Sequence, residues 1–323
     1  MAKSTSLDEK LKRIDTFLLQ PKSAETAKAL QGFLGAKNNY LVAKAARVVS
    51  ECGYDELIPN LLMAFDYFLK HAEKTDKSCL AKTAIIKALQ ELGHSDSDIF
   101  LRGVRYYQLE PSYGGRVDTA TEIRSLCAYT LVDLNNRDVL YELIRLTADP
   151  ELQVQVAAVR AMANTGMHEA ELLLRLLATS GDRELSVISE CLSGLMHLAP
   201  AQSFDFVAGF LDSHHEQLRQ AAALALAESH SAEAFAFLLE YWQSHPDYCT
   251  RRMLAIPLAI SKRSEAIDFL LSIIEQEDDQ IAFDVLKALK IYRHDEDFIT
   301  RLGELIEKKG DRILKDYFHR TFL

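Results

Sequence analysis

The sequence predicts an all-α, right-handed superhelical solenoid of about nine helical pairs with an N-terminal capping helix. Three observations predict it: a repeated apolar spacing, a steady repeat length and a scarcity of chain-breaking residues. Only 13 Gly and 7 Pro occur among 323 residues, which suits helices joined by short turns.

The repeated spacing is plainest in Leu152–Gly166, LQVQVAAVRAMANTG. With Val154 as position 1, positions 1, 5, 9 and 12 fall on one face of a helix, as an apolar stripe requires. Gly166, at position 13, is the kind of residue that ends a helix in the left-handed conformation. Asp149-Pro150 is typical of a helix start, with Asp149 as the N-terminal cap. We therefore expect one helix here, buried along that stripe.

Variants of this pattern recur along the whole chain. Their first positions are Leu41, Ala81, Ile123, Val154, Val187, Leu218, Thr250, Ile281 and Ile313. Successive first positions are 40, 42, 31, 33, 31, 32, 31 and 32 residues apart, which leaves room for one outer helix, one inner helix and two turns. One helical pair cannot bury both of its apolar faces, so the pairs are expected to stack around a continuous core.

The repeats predict a single array over residues 1–323 rather than separate domains. The expected segments are an N-terminal cap (1–22), longer-period repeats (23–135) with an insertion (107–119), regular repeats of about 32 residues (136–309) and a C-terminal capping helix (310–323). The two end segments carry more charge than the middle repeats, as caps that face water should.

The pattern resembles bacterial HEAT-like repeats, the class that includes phycobilin-lyase-type repeats, over nearly the whole chain. In HEAT repeats an Asp and a basic residue six positions later form a ladder between neighbouring inner helices. The matching pairs are Asp76/Lys82 and Asp118/Arg124, while Asp149/Gln155 and Asp182/Ile188 keep only the acid. The resemblance therefore implies a structural ladder at the two complete pairs. It implies no activity, because such folds host many functions.

The steady repeat is broken by the insertion Tyr106–Thr121, which contains one Pro, two Gly, three Tyr and an Arg. Insertions in repeat arrays lie on one face, often the binding face, and Tyr and Arg are frequent interface anchors. Tyr113 and Arg116 are therefore candidate partner-binding residues, with packing on the adjacent repeat as the alternative. For Tyr106 and Tyr107 we expect local packing.

Basic residues recur at position 2 of four inner helices, as Lys82, Arg124, Arg219 and Arg251. They form either the structural ladder or a basic stripe that contacts an acidic peptide or phosphate groups. Arg219 and Arg251 lack an Asp six residues earlier, which leaves both uses open for them. Arg252 adds a second charge beside Arg251. These three arginines complete the candidate partner-binding set.

Metal binding is not predicted, although one HEAT-fold enzyme class suggests it. The deoxyhypusine hydroxylases, which share this repeat type, bind two irons through His-Glu pairs that lie within inner helices at matching repeat positions. The pairs of this chain, His168-Glu169 and His215-Glu216, lie outside inner helices and out of register with each other. We therefore expect no metal, no cofactor and no catalytic residue.

Charge and cysteine usage narrow the environment. A net charge of −10 gives no basic field for phosphate backbones, which argues against nucleic acid as the main partner. No apolar run is long enough for a secretory signal or a membrane span. Five scattered cysteines without a CxxC pair predict reduced thiols in a cytoplasmic protein. Two of them, Cys127 and Cys191, occupy position 5, where a core side chain is expected.

Together these features predict a non-catalytic cytoplasmic scaffold or adaptor that binds a protein partner on its concave, inner-helix surface. Three alternatives belong to other classes. They are a phycobilin-lyase-like chromophore-handling subunit, a HEAT-fold DNA glycosylase and a di-iron hydroxylase. Binding of a bilin, of duplex DNA at low salt, or of stoichiometric iron would distinguish them.

Overall fold

The computed structural model describes residues 6–70, 72–181, 183–277 and 279–323. The contacts within the chain divide it into two compact units, Met1–Thr165 and Gly166–Leu323. Each unit is built almost wholly from α-helices, so the predicted all-α repeat fold is confirmed. A single array across residues 1–323 stays a prediction.

The first unit alternates outer and inner helices after an N-terminal helix. Its elements are α1 (Leu7–Thr16), α2 (Ala24–Leu34), α3 (Asn39–Glu51), α4 (Ile58–Lys70), α5 (Ala72–Thr75), α6 (Leu80–Glu91), α7 (Asp98–Val104), β1 (Leu109–Ser112), β2 (Gly115–Asp118), α8 (Thr121–Asp133), α9 (Val139–Leu146) and α10 (Leu152–Ala163). The inner helices α3, α6, α8 and α10 each pack on the next one, and α1 packs on α3. Residues 1–5 of the predicted N-terminal cap lie outside the described residues.

The second unit continues the alternation without strands among the residues described for it. Its helices are α11 (His168–Thr179), α12 (Leu185–Leu198), α13 (Pro200–Ala208), α14 (Glu216–Glu228), α15 (Ala232–Ser244), α16 (Tyr248–Ile260), α17 (Ser264–Gln276), α18 (Asp279–Ala288), α19 (Glu296–Lys309) and α20 (Arg312–Phe322). The inner helices α12, α14, α16, α18 and α20 follow one another in contact. Short 3-10 turns lie at Phe17–Leu19, Asp55–Leu57, Lys77–Cys79, Gly209–Asp212 and Leu289–Tyr292.

Most of the predicted apolar stripe is the core. In α10, Val154, Ala158 and Met162 at positions 1, 5 and 9 are fully buried, and these positions are buried in the other inner helices through α18 except at the half-buried Thr250. Position 12 is only half-buried in α10, at Thr165, because it lies past the helix end beside the turn. The buried stripe therefore ends earlier along the helix than the sequence predicted.

The register predicted for the last copy is wrong by one residue. Ile313, expected at position 1, is 62% exposed, whereas Leu314, Phe318 and Phe322 are buried. The reason is the helix start: Asp311 accepts a 2.8 Å hydrogen bond from the Leu314 backbone N–H. This cap makes Leu314 the third residue of α20 and turns it toward the core.

Position 13 takes the left-handed conformation in most copies, as predicted for Gly166 (φ 70°) and Asn135 (φ 50°). Gly53 and Gly93 do the same. His230 (φ 52°) and Lys262 (φ 54°) also adopt it, although an L side chain in this region costs free energy. The turn geometry of the repeat therefore imposes the left-handed conformation on His230 and Lys262 in spite of their side chains.

The insertion expected as a loop forms a β-hairpin instead. β1 and β2 pair antiparallel from Leu109 opposite Asp118 to Ser112 opposite Gly115. A two-residue turn joins them, and Gly114 takes φ 89° there, which suits a tight hairpin. The sequence between the strands, rich in Gly and Tyr, is thus a turn rather than an open connection.

Candidate functional site

The Asp76/Lys82 pair, predicted from its spacing in the sequence, is a buried ion pair. Lys82 Nζ lies 2.7 Å from Asp76 Oδ2, and both side chains are fully buried. Asp76 also accepts backbone hydrogen bonds from Ala81 at 2.8 Å and from Lys82 at 3.1 Å. The carboxylate therefore caps the start of α6 and neutralises a buried ammonium group, which is a structural role.

Arg124 joins two successive repeats. Its Nη1 lies 2.7 Å from Asp118 Oδ2 and its Nε lies 2.9 Å from Asp149 Oδ2, with all three side chains at most 3% exposed. Asp149 was expected to cap α10 directly, but α10 begins after Glu151, whose N–H donates to Asp149 Oδ1 at 3.0 Å. Asp149 is therefore the acidic residue of the next repeat in the ladder, and the Arg124 guanidinium reaches it from α8, the preceding inner helix. Asp182 lies outside the described residues.

Two tyrosines of the insertion lie over these charges. The Arg124 guanidinium carbon is 4.0 Å from the centre of the Tyr107 ring, and the Tyr107 hydroxyl donates to Asp149 Oδ2 at 2.9 Å. Lys82 Nζ is 5.5 Å from the Tyr106 ring centre. Burial raises the pKa of the Tyr106 hydroxyl well above its ordinary value. Both rings thus pack on the neighbouring cations, which they stabilise and shield from water.

A second cluster fastens the hairpin to the turn before α6. Glu110 Oε1 accepts hydrogen bonds from Ser78 N at 2.7 Å, from Gln108 Nε2 at 2.6 Å and from Thr119 Oγ1 at 2.9 Å. Burial acts to raise the pKa of Glu110, but these three donors and the charge of Lys82 together outweigh it and lower the pKa. Ser78 and the buried Cys79 adopt φ 57° and 54°. Sequence reasoning missed this cluster, because its members come from two distant segments.

The two predicted binding residues of the hairpin differ in their surroundings. The Tyr113 side chain at the turn is fully exposed. Arg116 is exposed as well, but its Nη2 donates a 2.8 Å hydrogen bond to the Leu109 carbonyl oxygen on the opposite strand. Their use in partner binding stays a prediction.

Arg219 is paired, although it lacks an Asp six residues earlier. Its Nη1 donates at 2.8 Å to the carbonyl oxygen of Ser213, which is the residue at that spacing. Gln155 does the same to the carbonyl oxygen of Asp149 at 2.7 Å. Position 2 therefore holds the preceding turn in these copies through a backbone acceptor. The residue type at the acceptor position does not reveal this.

Arg251 and Arg252 are adjacent in sequence but differ in environment. Arg251 Nη1 lies 3.1 Å from Glu277 Oε1, and its guanidinium carbon lies 5.7 Å from the buried Trp242 ring. Arg252 is exposed and makes no hydrogen bond or ion pair with the residues that the structure describes. Of the three candidate arginines, Arg252 has the side chain that is available to a partner.

In the described part of the chain, a cavity opens on the inner-helix surface of each unit. Between α3 and α6 a cavity of about 560 Å³ is lined at repeat positions 0 and 7 by Tyr40, Arg47, Leu80 and Lys87. Between α14 and α16 a cavity of about 240 Å³ is lined at positions 3 and 7 of both helices and at position 0 of α16, by Gln220, Leu224, Cys249, Arg252 and Ile256. These positions face away from the buried stripe. Position 7 of all four helices and position 0 of three of them thus line the accessible grooves of the two units.

Sequence reasoning missed these groove residues except Arg252. A signal was present, because positions 0, 3 and 7 can be read from each copy once the register is known. Several of them are apolar where a solvated face would be polar: Tyr40 is 58% exposed and Ile256 is 52% exposed.

The described histidines and cysteines form no candidate metal site. The structure describes no group of three or more His, Cys, Asp or Glu side chains placed to hold a metal within residues 6–70, 72–181, 183–277 and 279–323. His168 and His215 are exposed. Cys127 and Cys191 are fully buried, and burial raises the pKa of Cys191 to about 12. A Cβ on Gly103 would overlap the Cys127 sulfur, so Cys127 occupies the tight contact between α7 and α8.

No helix in the described part of the chain combines the length and apolar character that crossing a bilayer requires. No protein-family model matches the sequence, and no curated protein matches it.

Solved structures similar to this chain include an engineered protein, at 17% identity over 99% of this chain and 95% of that one, with a TM-score of 0.36. They also include the complex of CpcE and CpcF of phycocyanin lyase from Nostoc sp. PCC7120, at 15% identity over 90% and 97%, with a TM-score of 0.36. Human deoxyhypusine hydroxylase in complex with glycerol has 14% identity over 88% and 98%, with a TM-score of 0.31. These values transfer no activity, substrate or partner to this chain.

Proposed function

We propose that this protein is a non-catalytic scaffold or adaptor that binds a protein partner through its inner-helix surface. The observation that carries the proposal is the repeated use of position 7 in all four helices and of position 0 in three of them. These positions line an open groove between neighbouring inner helices in both units. A surface repeated in this way suits an extended partner, which can contact successive repeats by the same geometry.

The side chains at these positions support binding energetically. Tyr40 and Ile256 expose more than half of their surface within the grooves, and complete burial of a large apolar side chain stabilises by about 1.5–3 kcal/mol. Charged side chains lie beside them, such as Arg47 in the first unit and Arg252 in the second. Apolar anchors with a charged rim are the usual composition of a protein interface.

The charged residues buried in the first unit support the non-catalytic part of the proposal. Lys82 and Arg124 each contact a carboxylate, and aromatic rings lie over both cations. Their fully buried side chains serve the packing of successive repeats. The binding surface is therefore assigned to the exposed groove residues rather than to this network.

Quantitative affinity purification from the native cell tests the proposal. The bait is the full chain, and the inner-surface variant combines Tyr40→Ser with Ile256→Gln. The matched control combines Met63→Gln on the outer helix α4 with Leu176→Gln on the outer helix α11, which are 70% and 64% exposed. We expect the inner-surface variant to lower recovery of one specific protein by about ten-fold or more, a free-energy change of about 1.4 kcal/mol.

The outer-surface control should recover that protein as the unmodified chain does, and both variants should melt at the same temperature as the unmodified chain. Equal losses with the two variants, or recovery insensitive to the inner-surface changes, would contradict the proposed surface.

A further inference from the structure

The cavity between α14 and α16 is a slot with an apolar floor and two opposite charges. Leu224, Met253, Ile256 and Pro257 supply the apolar lining, while Glu216 comes from α14 and Arg252 from α16. Its volume of about 240 Å³ lies below the range of about 300–1,000 Å³ that is usual for small-molecule sites. The slot therefore has the size for one or two side chains of a larger ligand.

The two charges of the slot differ in how well they are satisfied. Glu216 Oε1 accepts a 3.0 Å hydrogen bond from Gln220 Nε2 on the same helix. Arg252 has no hydrogen-bond or ion-pair partner among the described residues. Asp284 on α18 lies within the reach of its charge, but the two oxygens of that carboxylate already accept bonds from Tyr248 at 2.5 Å and Lys287 at 3.0 Å. The guanidinium donors of Arg252 are thus open to a ligand.

An open guanidinium beside an apolar floor favours a ligand with two features. A carboxylate fits the planar fork of Arg252, which can donate two parallel hydrogen bonds. An apolar side chain next to that carboxylate would cover Leu224 and Ile256. Both features occur together in a protein segment where an aliphatic residue neighbours Asp or Glu.

We infer that this slot binds a partner segment in which an aliphatic side chain is followed by an acidic residue, with the aliphatic group against Ile256 and the carboxylate on Arg252. The inference rests on the proposed function and specifies the chemistry of its partner at one place on the inner-helix surface. Arg252 supplies the positive charge that complements the ligand carboxylate, on a chain whose overall net charge is −10.

Cys249 makes a direct test feasible, because it lines the slot and is exposed, whereas Cys79, Cys127 and Cys191 are buried. The full chain is equilibrated separately with the symmetric disulfide of each cysteamine-linked dipeptide, all at one concentration in the same thiol buffer. Thiol–disulfide exchange then links one dipeptide to Cys249 and releases the other as a free thiol, and the occupancy is measured by intact mass. The probes are N-acetyl-Leu-Asp, N-acetyl-Leu-Asn and N-acetyl-Ala-Asp, each coupled through its C-terminal carboxyl. Cys249→Ser defines the background from the other thiols.

We expect Leu-Asp to exceed Leu-Asn by about five-fold, as a partly exposed charge pair provides. Leu-Asp should exceed Ala-Asp by about ten-fold, because the isobutyl group buries additional carbon. Arg252→Ala should abolish the preference for Asp over Asn and keep that for Leu over Ala. Ile256→Gln should have the opposite effect: it should abolish the preference for Leu over Ala and keep that for Asp over Asn. Ratios between probes are used because they cancel any effect of a substitution that is common to all three probes.

Equal occupancy by the three probes, or an Asp preference that persists in Arg252→Ala, overturns the inference. Neither result depends on the native partner. The slot can therefore fail while inner-surface variants still lower partner recovery, and the proposed function can fail while the slot still selects Leu-Asp.

Discussion

Arg124 Nε lies 2.9 Å from Asp149 Oδ2, with both side chains fully buried, so one ion pair joins α8 to the turn that opens the next repeat. The Tyr107 ring covers the guanidinium, and its hydroxyl bonds the same carboxylate. Within the first unit, the stacking of repeats therefore depends on a charge contact in addition to apolar packing.

Asp149→Ala should lower the free energy of unfolding by about 3–5 kcal/mol, because it leaves a buried guanidinium without one of its two carboxylates. Urea unfolding monitored by circular dichroism measures the loss. The control is Asp15→Ala, which breaks the half-exposed contact with Lys44 at 2.6 Å and should cost at most about 1 kcal/mol. Similar losses for the two variants would show that the buried pair contributes no more than a surface pair.

Glu110 should make the stability of the first unit depend on pH. Its pKa is lowered in the folded chain, so its contribution is present above its unfolded pKa of about 4.3 and is lost as pH falls through the folded value. Glu110→Gln keeps the side-chain shape and removes the charge. The stability difference between the unmodified chain and this variant should be constant from pH 7 to about pH 5 and shrink below pH 4. A difference that stays constant down to pH 3 would mean that the carboxylate charge is not what holds the hairpin.

The left-handed conformation at position 13 predicts that introducing Gly at Lys262 raises the free energy of unfolding and that removing Gly166 lowers it. Lys262→Gly should raise the free energy of unfolding by about 0.5–1 kcal/mol, because Gly adopts φ 54° without steric cost. Gly166→Ala should lower the free energy of unfolding by about 1 kcal/mol, because Ala adopts φ 70° only at a conformational cost. An added Cβ would touch nothing within 4 Å, so this conformational cost is the whole expected effect. Lys262→Ala keeps the unfavourable conformation and should change stability by less than about 0.5 kcal/mol. Denaturant midpoints distinguish these outcomes, and an equal gain from Lys262→Ala would assign the effect to the lysine charge.

Arg219 and Arg252 should separate stability from binding. Arg219→Ala removes a donor to the Ser213 carbonyl oxygen and should lower the free energy of unfolding by about 1 kcal/mol. Arg252→Ala removes an exposed cation without a partner in the described structure and should leave the melting temperature unchanged. Partner recovery should fall only with Arg252→Ala. The assignment is reversed if Arg219→Ala lowers recovery while its melting temperature is unchanged.

The residues within one repeat were predictable because they depend on local geometry. The stripe at positions 1, 5 and 9 follows from the helical period, and the left-handed conformation at Gly166 follows from the missing Cβ. Arg252 could be singled out as a basic residue on an inner helix, but not as the one without a partner. The sequence also indicated the insertion, since Tyr106–Thr121 breaks the repeat, but its hairpin depends on pairing between strands.

By itself the sequence determined the helical repeats, their length and the identity of the core positions, since these follow from spacings of three and four residues along one chain segment. Only the tertiary structure decided which charges meet. Arg124 reaches Asp149 25 residues later, and Arg251 reaches Glu277 26 residues later. An ion pair depends on which segments pack side by side, and that packing is settled by the burial of apolar faces, which residue spacing within one helix does not specify.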